Sequence, residues 1–132
     1  MNLTLRDYFS INAIAIGYRG KFVTLLCIGL LITGIMGDKI ISVDFEVFGK
    51  VQGVFFRKNT VLKGKELGLK GWCMNTHKGT VQGYMEGAPK EIEEMKHWLR
   101  YTGSKMSIID RAEFTNEKDI QNYTLSGFSV RH

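Results

Sequence analysis

Between residues 41 and 48 the chain reads Ile-Ser-Val-Asp-Phe-Glu-Val-Phe, an alternation of apolar and polar side chains. Period two is the signature of a strand with one buried face, here Ile41, Val43, Phe45 and Val47. A helix cannot use this pattern, because its buried face recurs every three to four residues. The segment therefore demands a sheet covered on one side. Gly49 is expected to end the strand.

Downstream, the periodicity switches. Phe56, Thr60, Gly64 and Leu67 fall on one helical face, which predicts a helix over Arg57–Leu67 with Gly68 just past its end. Gly64 inside that helix costs about 1 kcal/mol against Ala, and on the inward face it allows close contact with a sheet. Gly71–Asn75 and Thr80–Glu86 read as two strands, joined by the turn Thr76-His77-Lys78-Gly79. Pro89 opens a second helix where its missing N–H is harmless, and Glu91, Glu93 and Glu94 follow in the early turns. Ile92, Met95 and Leu99 form its apolar stripe, flanked by Trp98, and Gly103 ends it. Strands are expected near Arg111–Thr115 and at Phe128–Arg131. The order β-α-β-β-α-β with an extra strand is the ferredoxin-like α/β (α+β) sandwich, an antiparallel sheet of four to five strands with two helices on one face. That fold hosts many functions, so function has to be argued from the site.

Residues 1–38 differ in character. Residues 22–36 form a fifteen-residue run without charge, preceded by Arg19 and Lys21. The run is slightly short for a membrane span of roughly 17–25 residues, and it also fits the apolar core of a signal peptide. A membrane-associated segment, a cleaved signal and an appended helix all remain open. The expected division is an N-terminal extension, 1–38, and a folded domain, 39–132.

Of the 132 residues, 18 are Lys or Arg and 13 Asp or Glu, a formal charge of +5. The folded domain holds 15 basic against 11 acidic groups, interspersed rather than in blocks, which describes a solvated surface more than a polyanion-binding tract. Cys27 and Cys73 are too few for a disulfide framework and read as buried thiols. His77, His97 and His132 show no paired metal-ligand spacing. Neither nucleotide-binding glycine motif occurs, nor does the aromatic signature of RNA-binding sandwiches.

The stretch Gly49-Lys50-Val51-Gln52-Gly53-Val54-Phe55-Phe56-Arg57 joins the first strand to the first helix. The first amides of a helix have no internal acceptor, and the helix dipole makes that end positive. Gly53 lets backbone amides converge in a nest, and Arg57 adds a fork suited to phosphate. Asn75 closes the second strand with a neutral amide, able to hold a water or to bond its own turn.

These two segments carry a resemblance. The first matches G-x-V-Q-G-V-x-[FY]-R and the second, Gly71 to Val81, matches G-[FYW]-[AV]-x-N-x-x-[DNK]-G-x-V, with Cys73 where a small apolar residue is usual. Over residues 39–132 the chain resembles the acylphosphatases, and residues 1–38 fall outside the likeness. The resemblance implies the ferredoxin-like fold and hydrolysis of a carboxyl–phosphate anhydride with no metal and no cofactor. It implies that Arg57 and the backbone of Gln52, Gly53, Val54, Phe55, Phe56 and Arg57 bind the phosphoryl group. Asn75 would hold the attacking water, and Thr76 would help position it. The implied partner is a small acyl phosphate, with no nucleic acid and a monomeric chain. Localisation is expected to be cytoplasmic on this likeness, or membrane-associated or secretory if residues 22–36 act as an anchor or signal. The competing expectation is a non-catalytic anion- or partner-binding module tethered at a membrane.

Overall fold

The structure is a computed structural model and describes residues 39–132. The apolar run 22–36, Cys27 and the extension 1–38 lie outside the described residues. The described elements, in chain order, are β1 (Ile40–Lys50), α1 (Phe56–Glu66), β2 (Lys70–Asn75), β3 (Val81–Gly87), α2 (Pro89–Tyr101), β4 (Ile108–Ile120) and β5 (Phe128–Val130). The strands form one sheet in the order β4-β1-β3-β2-β5. No helix among the described residues is long and apolar enough to cross a membrane.

The period-two face of β1 lies where the alternation puts it. Ile41, Val43, Phe45 and Val47 are buried together with Val81 and Met85 of β3 and Cys73 of β2. The helices close this layer with Phe56 from α1 and Ile92, Met95 and Leu99 from α2. The expected stripe of α1 is confirmed at Phe56, Thr60 and Gly64. A side chain at Gly64 would come within 2.5 Å of the Phe128 ring, so the glycine is what lets α1 lie against β5.

Three details depart from the pattern. Gly49 does not end β1; it sits at a register shift against β4, and pairing continues to Lys50. β4 runs thirteen residues rather than five. Residues 116–120 show no apolar alternation, yet they pair with β1 as far as Ile40↔Ile120, past a bulge where Asn116 takes φ 55°. Backbone pairing decides this strand's length, and its charged, exposed side chains suit a sheet edge.

The third departure concerns direction. The sheet is antiparallel except at β5, which pairs in parallel with β2. The cause is topological. β1 and β2 run the same way with β3 reversed between them, and β4 runs opposite to β1. β4 therefore finishes at the end of the sheet where β1 and β2 begin. A chain that crosses under that end and turns back into the sheet must enter parallel to β2. The crossing spans four strand spacings, roughly 19 Å. The connection 121–127 reaches that far at an extended rise of about 3.3 Å per residue. Its midpoint is pinned to β3, where the buried Glu86 carboxylate accepts from the Thr124 amide at 2.9 Å, from the Thr124 hydroxyl, and from the Tyr84 hydroxyl at 2.5 Å.

Candidate active site

The C-terminal ends of β1 and β2 lie at the same end of the sheet, on either side of β3. The loop 51–55 leaves the first, and Asn75 is the last residue of the second.

The loop is anchored at several points. Val51 and Val54 bury their side chains. The Val54 carbonyl accepts from the Ser104 hydroxyl at 2.7 Å, and the Gln52 amide donates to the carbonyls of Thr76 and Thr80, both at 2.9 Å. Gln52 thus ties the loop to the turn that follows Asn75. Held this way, the backbone takes positive φ twice, at Gly53 (72°) and Phe55 (61°). Glycine adopts this conformation freely; Phe55 adopts it at a cost and is 72% exposed.

Phe55 is the N-cap of α1 and offers no side-chain cap. The first backbone bond of the helix runs from Asn59 to the Phe55 carbonyl at 3.1 Å. The amides of Phe56, Arg57 and Lys58 are left without an intrahelical acceptor. No acidic residue occupies this first turn, so the positive helix end is uncompensated within its own element. Among the described residues, no carboxylate pairs with Arg57.

Across from the loop, the Asn75 side-chain oxygen is buried and has no hydrogen-bond partner. The turn beneath it is firmly built. The Thr76 hydroxyl meets the Thr80 hydroxyl at 2.6 Å and accepts from the amides of Lys78 and Thr80. The Thr80 hydroxyl donates to Glu46 at 2.6 Å. That bond, helped by Lys78, holds the Glu46 carboxyl below the usual carboxylate range. Burial pushes the Cys73 thiol up to about 12, against the opposing Arg57 charge. Cys73 is therefore a protonated core residue, not a nucleophile.

Gly53, Phe55, Phe56, Arg57 and Asn75 line one cleft of about 710 Å³. Gln52, Val54 and Thr76 are not among its lining residues: the Gln52 amide bonds the turn, the Val54 side chain is buried, and the Thr76 hydroxyl bonds Thr80. Sequence reasoning missed the other walls, made by Lys58, Val61, Leu62 and Lys65 of α1 and by Phe128, Ser129, Val130 and His132 of the C-terminal segment. The α1 set has an i, i+3, i+4, i+7 spacing, but its two lysines make it read as exposed surface. The C-terminal set had no signal, because only the parallel entry of β5 brings it here. Among the described residues, no three His, Cys, Asp or Glu side chains gather as a metal site.

A family model described as Acylphosphatase matches residues 43–130. The chain belongs to the acylphosphatase family. Acylphosphatase-1 of Mus musculus is 54% identical over 94 residues, covering 71% of this chain and 95% of that protein. Acylphosphatase-1 of Homo sapiens is 52% identical over the same coverage. The solved acylphosphatase of Coxiella burnetii superposes with a TM-score of 0.62 at 32% identity, over 70% of this chain and 94% of that one. These likenesses agree with the ferredoxin-like sandwich read from the order of strand and helix patterns.

Proposed function

We propose that this chain is an acylphosphatase acting through the cleft at the head of α1. It hydrolyses the carboxyl–phosphate anhydride of small acyl phosphates to a carboxylate and inorganic phosphate. One observation supports the assignment of the site: Arg57 and Asn75, whose side-chain oxygen has no partner, line one cleft, beside a helix end with free amides and no carboxylate in its first turn.

In this reading the amides of the 52–57 backbone and the Arg57 guanidinium grip the phosphoryl oxygens. Asn75 accepts a hydrogen bond from the water and aims its lone pair at phosphorus. The water oxygen bonds to phosphorus as the bond to the acyl oxygen breaks, and the electron pair leaves with the carboxylate. The water's proton passes to a phosphoryl oxygen of the substrate. A carboxylate is a good leaving group and phosphoryl transfer proceeds through a loose transition state, so positioning and charge stabilisation are the main requirements. Arg57, Lys58 and the free amides supply that positive charge without a metal. Thr76 serves by holding the turn under Asn75.

We place catalysis in residues 39–132 of a monomeric chain that binds no nucleic acid. We assign residues 1–38 to an extension whose apolar run, 22–36, associates with a membrane. Carbonate extraction tests the last point: full-length chain left in the membrane pellet supports it, and full release sinks it.

The site is tested by benzoyl phosphate hydrolysis in excess chelator alongside phosphate binding by calorimetry. Arg57→Ala is expected to lose turnover by about a thousandfold and to weaken phosphate binding. Asn75→Ala is expected to lose turnover comparably while binding phosphate within threefold of the unsubstituted chain. Full activity in either variant overturns the site, and loss of activity on chelation overturns the metal-free reading.

A further inference from the structure

Helix α1 has two side-chain stripes. The first, Phe56, Thr60 and Gly64, is buried against the sheet. The second, Lys58, Val61, Leu62 and Lys65, has the same helical periodicity and lines the cleft instead. The core uses it only in part: Val61 packs against the core, but Leu62 is 54% exposed, and Phe55, seven residues earlier, is also exposed. A single exposed apolar side chain needs no explanation. Here, however, Phe55, Val61 and Leu62 line the same cleft as Arg57, together with Val130 of β5. Arg57 to Lys65 covers roughly 12 Å of helix at 1.5 Å per residue. The cleft therefore continues well beyond what a phosphoryl group needs. None of its described lining residues is acidic. The lysine stems add methylene surface while their ammonium groups stay in water.

We propose that this second stripe is the acyl subsite and that Leu62 determines acyl specificity. The inference rests on the acylphosphatase reading, since the phosphoryl grip fixes one end of the substrate at the head of the helix. The acyl chain then extends along the helix over Val61 and Leu62, between Phe55 and Val130. Apolar acyl groups of about six carbons, or an aromatic ring, bury surface there that an acetyl group cannot reach. The subsite thus selects apolar acyl phosphates over acetyl phosphate.

Two readouts on the full-length chain test this. Calorimetry with methylphosphonate and hexylphosphonate measures chain-length selectivity without turnover. Hexylphosphonate is expected to bind about tenfold tighter, reflecting partial burial of its added methylenes. Leu62→Gln keeps a good helix former at an exposed position and is expected to cut that ratio below threefold. The kcat/KM ratio of hexanoyl to acetyl phosphate should change in parallel. Equal affinity for the two phosphonates, or an unchanged ratio in Leu62→Gln, overturns the subsite. Failure of the unsubstituted chain to hydrolyse acetyl or hexanoyl phosphate would overturn the acylphosphatase reading instead, and the phosphonate ratio would still report on the subsite.

Discussion

At the scale of single residues, the site depends on side chains that never face the substrate. Gln52 stands in the middle of the phosphate-loop motif, yet its amide bridges to the Thr76 and Thr80 carbonyls. It couples the loop that carries Arg57 to the turn that follows Asn75. Ser104 performs the same service from the far side through the Val54 carbonyl. We predict that Gln52→Ala lowers kcat about tenfold through misplacement of the loop, and lowers stability by about 1–2 kcal/mol for the two hydrogen bonds lost, the Thr76 and Thr80 carbonyls keeping their backbone donors from Gly79 and Thr76. Steady-state kinetics and urea unfolding check the two effects separately; a variant that changes neither removes Gln52 from the account. Arg57 and Asn75 were legible in the sequence because their residue types sit in a specific spacing. The partner of Gln52 was not, since it is 24 and 28 residues away and only folding brings it near.

At the scale of elements, α1 shows why one apolar periodicity is an incomplete description. Its buried stripe was legible from Phe56, Thr60 and Gly64, while the cleft-facing stripe is mixed with lysines and reads as surface. Gly64 is the point where helix and sheet come closest. Gly64→Ala gains helix propensity of about 1 kcal/mol but drives a methyl group into the Phe128 ring, a buried overpacking cost of about 1–3 kcal/mol. The expected net effect is a lower thermal midpoint. Because Phe128 also lines the cleft, KM is expected to rise with it. A midpoint at or above that of the unsubstituted protein would show that Phe128 yields without cost. β4 teaches the converse lesson: its last residues have no strand pattern and are held by the backbone ladder to β1.

At the scale of the whole molecule, the decisive element is the crossing connection that delivers β5 and His132 to the cleft. Glu86 holds it at Thr124. Burial raises the Glu86 carboxyl, but the hydrogen bonds from Thr124 and Tyr84 outweigh burial and bring it below its ordinary value near 4.5. A carboxyl lowered in the folded state contributes stability above its unfolded value and loses that contribution as pH falls through the folded one. The stability of the chain is therefore expected to drop below about pH 4.5. Glu86→Gln should be destabilised at pH 7 by about 2 kcal/mol, with the gap between the two proteins closing as pH falls towards 3. Thermal midpoints across that range check it, and a constant gap would remove Glu86 as the titrating anchor.

By itself the sequence determined the elements and singled out the loop and strand end that we propose as the phosphate grip. Strand and helix periodicities are set by local backbone geometry, and a motif of specific residues at fixed spacing stays local to one loop and one strand end. Only the tertiary structure decided the parallel entry of β5, the length of β4, the staple made by Gln52 and the extent of the cleft along α1. Each of these depends on which segments meet across the sheet, and contacts between distant parts of a chain leave no periodic trace in it.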